Sequence, residues 1–231
     1  MMLNGAMAKV IGYVDLNHRL KLKTHIKLKH LKEKIYETIK RSDKMQLTKE
    51  LTVEHEAVLS VLQILDQISQ RINENKDINS TDLETLLEVM KMFVDRCHHG
   101  KEEKILFEAM ESVGIPKDGG PVGVMLYEHD NGRSYIKGMR EAFEKFKQGD
   151  KEALKKFAEN ASDYTDLMYA HIDKENNILY PMAEMHLSDT VKTKLAQDFA
   201  NIQTQETGNG LYEKYFKTIQ QLEKHYLTVS N

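Results

Sequence analysis

The sequence predicts an all-α protein: an antiparallel four-helix bundle, with additional helices packed at its C-terminal end and a basic extension at its N-terminal end. Three observations lead there. Leu, Met, Glu, Lys and Ala dominate long stretches, and the 231 residues hold three prolines and no tryptophan, a composition of good helix formers. Apolar residues recur at spacings of three and four through most of the chain after Met45, the period of an amphipathic helix. The chain also repeats itself. Cys97-His98-His99-Gly100-Lys101-Glu102-Glu103-Lys104-Ile105-Leu106-Phe107 returns as Ala170-His171-Ile172-Asp173-Lys174-Glu175-Asn176-Asn177-Ile178-Leu179-Tyr180. The first His lies 43 residues after His55 in Glu54-His55-Glu56, and its repeat lies 42 residues after His129 in Glu128-His129-Asp130.

Residues 1–45 stand apart. Apolar residues alternate from Leu20 to Leu28, a strand period, and then shift to a helical spacing at Leu31, Ile35 and Ile39. The first bundle helix is expected from about Thr48 to Asn73, with Leu51, His55, Val58, Leu62 and Leu65 on one face. Asn73 to Asp77 is a polar connection. Thr81-Asp82-Leu83-Glu84 has the form of a capping box and opens the second helix, whose stripe is Leu83, Leu87, Met90, Val94, His98, Glu102, Ile105 and Ala109. Gly114-Ile115-Pro116 stops it and Asp118-Gly119-Gly120 turns the chain. Pro121 suits the first position of the third helix, with Val122, Met125, His129, Ile136 and Phe143 on a face. Gly149-Asp150 breaks the chain again. The fourth helix carries Phe157, Tyr164, Leu167, His171, Glu175 and Ile178, and Pro181 is expected to kink or end it. Ser188 caps a further helix to about Thr207, and Gly208-Asn209-Gly210 precedes a last one around Tyr212 to Leu222. The expected units are the extension 1–45, the bundle 46–186 and the C-terminal helices 187–231.

Net charge is −3, but residues 1–45 carry +7 and the remainder −10. A basic arm can serve nucleic acid, yet no aromatic stacking pattern accompanies this one. Nucleic acid is therefore not expected as a partner, and a loosely held appendage is the plainer reading. The lone Cys97 excludes an intrachain disulfide framework and suits a reducing compartment. No apolar run approaches the roughly 20 residues of a membrane span, and Val10 to Val14 is too short for a signal-peptide core. A cytoplasmic protein without a membrane partner is expected; the oligomeric state stays open.

His55, His98, His129 and His171 each fall in the apolar stripe of their own helix, as do Glu102 and Glu175. Burying ionised carboxylates costs several kcal/mol each unless they are paired or bind a metal. Two such residues beside four imidazoles are accounted for by cations, and a bundle core lined from facing helices is a recurrent way to hold a metal pair. A pseudo-two-fold would set Glu102 and Glu175 between the ions as bridges. The donors suit iron, manganese or zinc better than copper(I) or calcium; two non-haem, carboxylate-bridged iron ions are the expectation. His99 and Glu103 have the same spacing as His98 and Glu102, but the stripe centres near His98 and leaves His99 about 120° away, toward solvent. Glu54, Glu56, Glu128 and Asp130 flank the imidazoles and are candidates to hold their N–H groups. Arg133 is a candidate second-layer charge. Tyr127, Tyr164 and Tyr169 are read as core or rim packing rather than pocket lining.

At these residues the chain resembles the hemerythrin-like family from about Leu47 to Met185. The phrases Lys-Glu-Glu-x-Ile-Leu-Phe, Gly-Gly-Pro-Val-Gly-Val-Met-x-x-Glu-His-Asp and His-Ile-x-x-Glu-Asn-Asn-Ile-Leu-Tyr-Pro carry the resemblance. It implies a non-haem di-iron centre on His55, His98, Glu102, His129, His171 and Glu175. The chain departs from oxygen-carrying members, which place a further His where Arg133 stands and an Asp five residues after the last His. Four His and two Glu resemble instead the iron–sulfur-repair and nitric-oxide- or peroxide-responsive members. The resemblance implies a protein that binds or reacts with O2, NO or peroxide in oxidative or nitrosative stress response or iron-centre repair. A non-catalytic carrier or sensor, or a metal-storage or structural bundle, are the other readings, and whether the protein turns over substrate is left open.

Overall fold

A computed structural model describes residues 47–207 and 210–227. The expected extension, 1–45, lies outside the described residues. The described residues form an all-helical bundle of six helices. Helix α1 is Leu47–Asn73. Helix α2 covers 80–112: Ser80–Val89 is α-helical, Met90–His99 and Glu102–Leu106 are π-helical, and Phe107–Ser112 is α-helical again. Helix α3 is Pro121–Lys147. Helix α4 covers 153–186, as Ala153–Lys174, a π-helical Glu175–Leu179, and Tyr180–His186. Helices α5 (Asp189–Thr207) and α6 (Leu211–Tyr226) complete it. Among the described residues there is no strand, and no helix is long and apolar enough to cross a membrane.

Most boundaries follow the expected signals. Pro121 occupies the first turn of α3 behind Gly120, where its missing N–H has no helical partner to lose. Gly114, Gly119 and Gly149 adopt positive φ in the connections, a region that costs other residues strain. One expectation fails. The capping box at Thr81 is not used; Asn79 caps α2 instead, its Oδ1 accepting from Thr81 N–H at 2.9 Å, because Asn satisfies an orphan donor as well as Thr does. Pro181 does not end α4. It lies two residues after the end of the π turn Glu175–Leu179, whose i→i+5 bonds change the register ahead of it, and the helix runs on to His186.

Two apolar clusters make the core. The larger joins Val58, Leu62 and Leu65 of α1 to Leu87 and Val94 of α2, Ile136 and Met139 of α3, and Phe157 and Met168 of α4. The smaller joins Leu51, Ile105, Met125 and Leu179 from the same four helices. The two C-terminal helices complete these clusters rather than lie outside them: Tyr215, Ile219 and Leu222 of α6 enter the first, and Leu195 and Phe199 of α5 the second. Along each of the first four helices the polar site residues fall between the two clusters: Glu54 and His55 after Leu51 and before Val58, His98 and Glu102 between Val94 and Ile105, His129 between Met125 and Ile136, His171 and Glu175 between Met168 and Leu179. Charges in a layer set between apolar layers interact more strongly than they would in water.

Candidate metal centre

All six expected residues converge in that layer. His129, His171, Glu102 and Glu175 are fully buried, His55 and His98 nearly so. Each imidazole has its Nδ1 tied to an oxygen pointing away from the centre. His98 Nδ1 donates to Glu54 Oε2 and His171 Nδ1 to Glu128 Oε2, both at 2.9 Å. His129 Nδ1 donates to Glu103 Oε1 at 2.6 Å, and His55 Nδ1 to Asn176 Oδ1 at 2.9 Å. Such acceptors fix ring orientation and tautomer. The four Nε2 atoms then face inward. His129 Nε2 lies 3.0 Å from His171 Nε2, and Glu175 Oε1 and Oε2 lie 3.2 Å from His171 Nε2 and 3.1 Å from His55 Nε2. Glu102 Oε2 lies 3.7 Å from His98 Nε2 and 3.6 Å from His129 Nε2.

The electrostatics of this set call for positive charge. Glu102 Oε2 and both carboxylate oxygens of Glu175 are buried without a hydrogen-bond partner, a state that costs each group its hydration with no return. Burial, and then the Glu175 charge, push the Glu102 carboxyl well above the usual carboxylate range. Burial, helped by the His55 charge and opposed by Glu54 and Glu175, drives His98 down to about 4. Against the same burial, Glu175 and Glu128 hold His171 up at about 9, so a proton supplies there the charge that a bound cation supplies more fully. The donor set fits a metal pair: buried imidazole and carboxylate, no thiolate, oriented from behind.

The structure adds a residue that the sequence reading set aside. His99, expected toward solvent, is 3 % exposed. It stacks on His129 at 3.9 Å between ring centroids, and neither of its nitrogens has a hydrogen-bond partner. The reason is the π-helical stretch Met90–His99. Extra residues per turn rotate the helix face, so the reckoning at 100° per residue fails where it mattered. Ligand atoms of His99, His129 and His171 gather within 4.8 Å of one another, as do those of His55, His98, Glu102 and Glu175. The signal for His99 was the doubled His itself; no rule of periodicity announces a π turn.

Around this inner set the flanking residues divide. Glu54 and Glu128 hold imidazoles as expected. Asp130 instead pairs with Arg133 at 3.0 Å, and Glu56 stays half-buried on its own face. Arg133 acts through Glu103: its Nη2 donates to Glu103 Oε1 at 2.6 Å, and its Nε to Asp95 at 2.8 Å. Lys101, fully buried, donates to Glu54 Oε1 at 2.6 Å and also meets Glu50 and Gln203. Lys101 holds Glu54 down at about 2 despite its burial. Of the tyrosines, Tyr127 is 68 % exposed, Tyr164 is buried in the apolar core, and Tyr169 donates to Asp66. Cys97 is buried as packing.

No curated protein matches the chain. Residues 46–183 match the model of the hemerythrin HHE cation binding domain, so the chain belongs to that family.

Proposed function

We propose that this member of the family is an antiparallel four-helix bundle, α1–α4, holding two non-haem iron ions bridged by Glu102 and Glu175. His55 and His98 would hold one ion; His99, His129 and His171 would hold the other. The observation that carries this reading is the tethering of Nδ1 on four buried imidazoles to outward acceptors, which aims four Nε2 atoms at Glu102 Oε2 and the two Glu175 oxygens, none of which has a hydrogen-bond partner. An iron pair supplies binding or reduction of O2, NO or peroxide. The chain's own part is to orient the imidazoles through Glu54, Glu103, Glu128 and Asn176, to keep the carboxylates ionised between cations, and to exclude bulk water with the two apolar clusters. Oxidative or nitrosative stress response, or iron-centre repair, in the cytoplasm is the setting that suits such a centre.

Metal analysis of protein from iron-replete medium tests it, with ultraviolet–visible spectra recorded before and after O2, NO and peroxide. Two iron ions per chain and a ligand-dependent spectrum are expected. A chain that carries zinc only, or no metal, sinks the reading. Catalytic loss of peroxide or NO marks an enzyme, and stoichiometric reversible binding marks a carrier or sensor.

A further inference from the structure

The sequence repeat aligns Tyr180 with Phe107. Both rings lie against a site imidazole: Phe107 stacks on His129 with centroids 5.9 Å apart at 22°, and Tyr180 stacks on His55 at 5.4 Å and 9°. The two positions therefore do the same packing, and the hydroxyl is what Tyr180 adds. That hydroxyl belongs to a side chain 2 % exposed and reaches the centre. Oη lies 2.6 Å from Glu102 Oε1 and 3.2 Å from His55 Nε2.

A phenol has one proton to donate, and Glu102 Oε1 takes it. The contact with His55 is then unexplained, because His55 already spends its Nδ1–H on Asn176 Oδ1 and turns an Nε2 lone pair toward the Oη lone pairs. Glu175 Oε2 faces the same Nε2 at 3.1 Å. Three electron-rich atoms at this spacing repel unless a proton or a metal ion lies among them, and a metal ion serves all three at once. Two donors each about 2.1 Å from one ion and at right angles to each other lie about 3.0 Å apart, and the contacts of His55 Nε2 with Tyr180 and Glu175 are of that length. The halves also differ in donor count. His99 adds a third imidazole beside His129 and His171, whereas its repeat counterpart, Ile172, packs in the apolar core. The ion beside His55 and His98 has no such extra nitrogen.

We infer that the Tyr180 phenol oxygen is a direct ligand of the ion held by His55 and His98. The assignment rests on the metal-centre reading above. As a ferric ion binds, the phenolic proton leaves to solvent and the oxygen keeps the electron pair that it donates to the metal. The two ions are then inequivalent by construction: one has an oxygen donor from Tyr180, the other a nitrogen donor from His99.

Phenolate bound to ferric iron gives a visible charge-transfer band and resonance-enhanced ring vibrations, which a hydrogen-bonded phenol does not. The test loads the full chain with iron, oxidises it to the ferric state, and records resonance Raman spectra with ordinary and with ring-deuterated tyrosine. Iron per chain is measured on the same samples. Phenolate modes that shift on deuteration, vanish in Tyr180→Phe and persist in Tyr212→Phe and Tyr164→Phe are expected, with two irons retained throughout. Two irons per chain and no phenolate modes in the wild-type protein overturn the Tyr180 assignment alone and leave Tyr180 as a hydrogen-bond donor to Glu102. Modes that survive in Tyr180→Phe overturn it as well. Should Tyr180→Phe fail to fold, the wild-type spectrum together with Tyr212→Phe and Tyr164→Phe still decides, because loss of the modes in either of those variants moves the ligand elsewhere. Absence of iron from every sample overturns the metal-centre reading itself.

Discussion

In the α1–α2 half, His98 meets Glu54 at 2.9 Å and Lys101 closes on Glu54; in the α3–α4 half, His171 meets Glu128 at 2.9 Å and Lys174 closes on Glu128. His55 leans on Asn176 and His129 on Glu103, residues that the sequence repeat aligns. The inner geometry is thus conserved between the halves by the duplication, down to which nitrogen is tethered. The coverings are not. Lys101 is fully buried, with its ammonium 5.9 Å from the Phe199 ring of α5 and 5.2 Å from the Tyr212 ring of α6, and Tyr212 donates to Glu54 at 2.6 Å. Lys174 keeps 34 % of its side-chain surface in solvent. Ile105 lies at the edge of burial, while its counterpart Ile178 is 55 % exposed. The C-terminal helices therefore seal one half of a duplicated centre and leave the other near water. Matching contacts in the two halves should then carry unequal energies, since screening separates a buried pair from an exposed one.

The largest expected effect ignores the difference between halves. On the proposed centre each carboxylate serves both ions, so Glu102→Ala or Glu175→Ala should lower metal content from two ions per chain to none, by elemental analysis. Chelation of the wild type should lower its melting temperature, because an ion bound only by the folded chain at about a thousand times its Kd contributes about 4 kcal/mol. A variant that keeps one tightly bound ion shows that the carboxylates do not bridge, and the two halves are then separate sites.

Next come the second-layer carboxylates, where the halves should part. Glu54→Gln leaves the fully buried Lys101 short of one partner and Tyr212 without its carboxylate acceptor. Breaking such a buried pair costs about 3–5 kcal/mol. Glu128→Gln loosens Lys174, which is already wet, and should cost about 1 kcal/mol or less. Denaturant midpoints of the metal-free variants measure both. Equal losses would mean that α5 and α6 do not seal the first half in solution.

Acid should expose the same asymmetry more gently. Glu54 sits at about 2 in the fold against 4.5 for an ordinary Glu. Its folded pKa is depressed, so its contribution to stability is full above about 4.5 and is lost as pH falls toward 2. Glu128 is also lowered, by His171 and Lys174 against its own desolvation, but it stands closer to solvent. Stability of the metal-free protein between pH 5 and about 3 should therefore depend less steeply on pH in Glu54→Gln than in Glu128→Gln. The reverse order would place the stronger native interaction in the open half.

Three of the residues that sequence reading brought to the centre, His55, His129 and His171, sit in α-helical segments with apolar neighbours, whereas His98, Glu102 and Glu175 lie in π-helical turns and are marked by the internal repeat as well as by the stripe. Leu51 and Val58 frame His55, Met125 and Ile136 frame His129, and simple periodicity finds both. It fails at His99, where ten π-helical residues, Met90–His99, replace α-helical ones. The equivalent stretch of α4 is α-helical, Ala153–Lys174, and there the rule keeps Ile172 in the core. The role of the C-terminal helices was also out of reach, since the amphipathic face of α6 says that it packs without saying that Tyr212 reaches Glu54. Asn176 and Glu103 were hidden by type: an amide and a partly exposed Glu become legible only when an imidazole is seen behind them.

Glu103 gives the smallest and most discriminating effect. The spacing argument treats it as a surface residue, so its replacement should be nearly silent. In the structure it accepts from His129 Nδ1 at 2.6 Å and from Arg133 at 2.6 Å, while the matching position in the other half is the neutral Asn176. Glu103→Gln thus makes the second half resemble the first, an amide carbonyl behind each imidazole. The ring stays oriented, so the fold and the count of two ions should survive. What is lost is negative charge behind His129, which strengthens its Nε2 as a donor. Loss of a group that orients and charges a ligand costs about 10–100-fold in metal affinity; with an amide still in place the lower end, about 10-fold and for one ion only, is expected in chelator competition. Glu103→Ala, which removes orientation as well, should fall toward the upper end. If both variants hold their ions as tightly as the wild type, then Asn176 behind His55 and Glu103 behind His129 are equivalent, and the halves do not differ at this position.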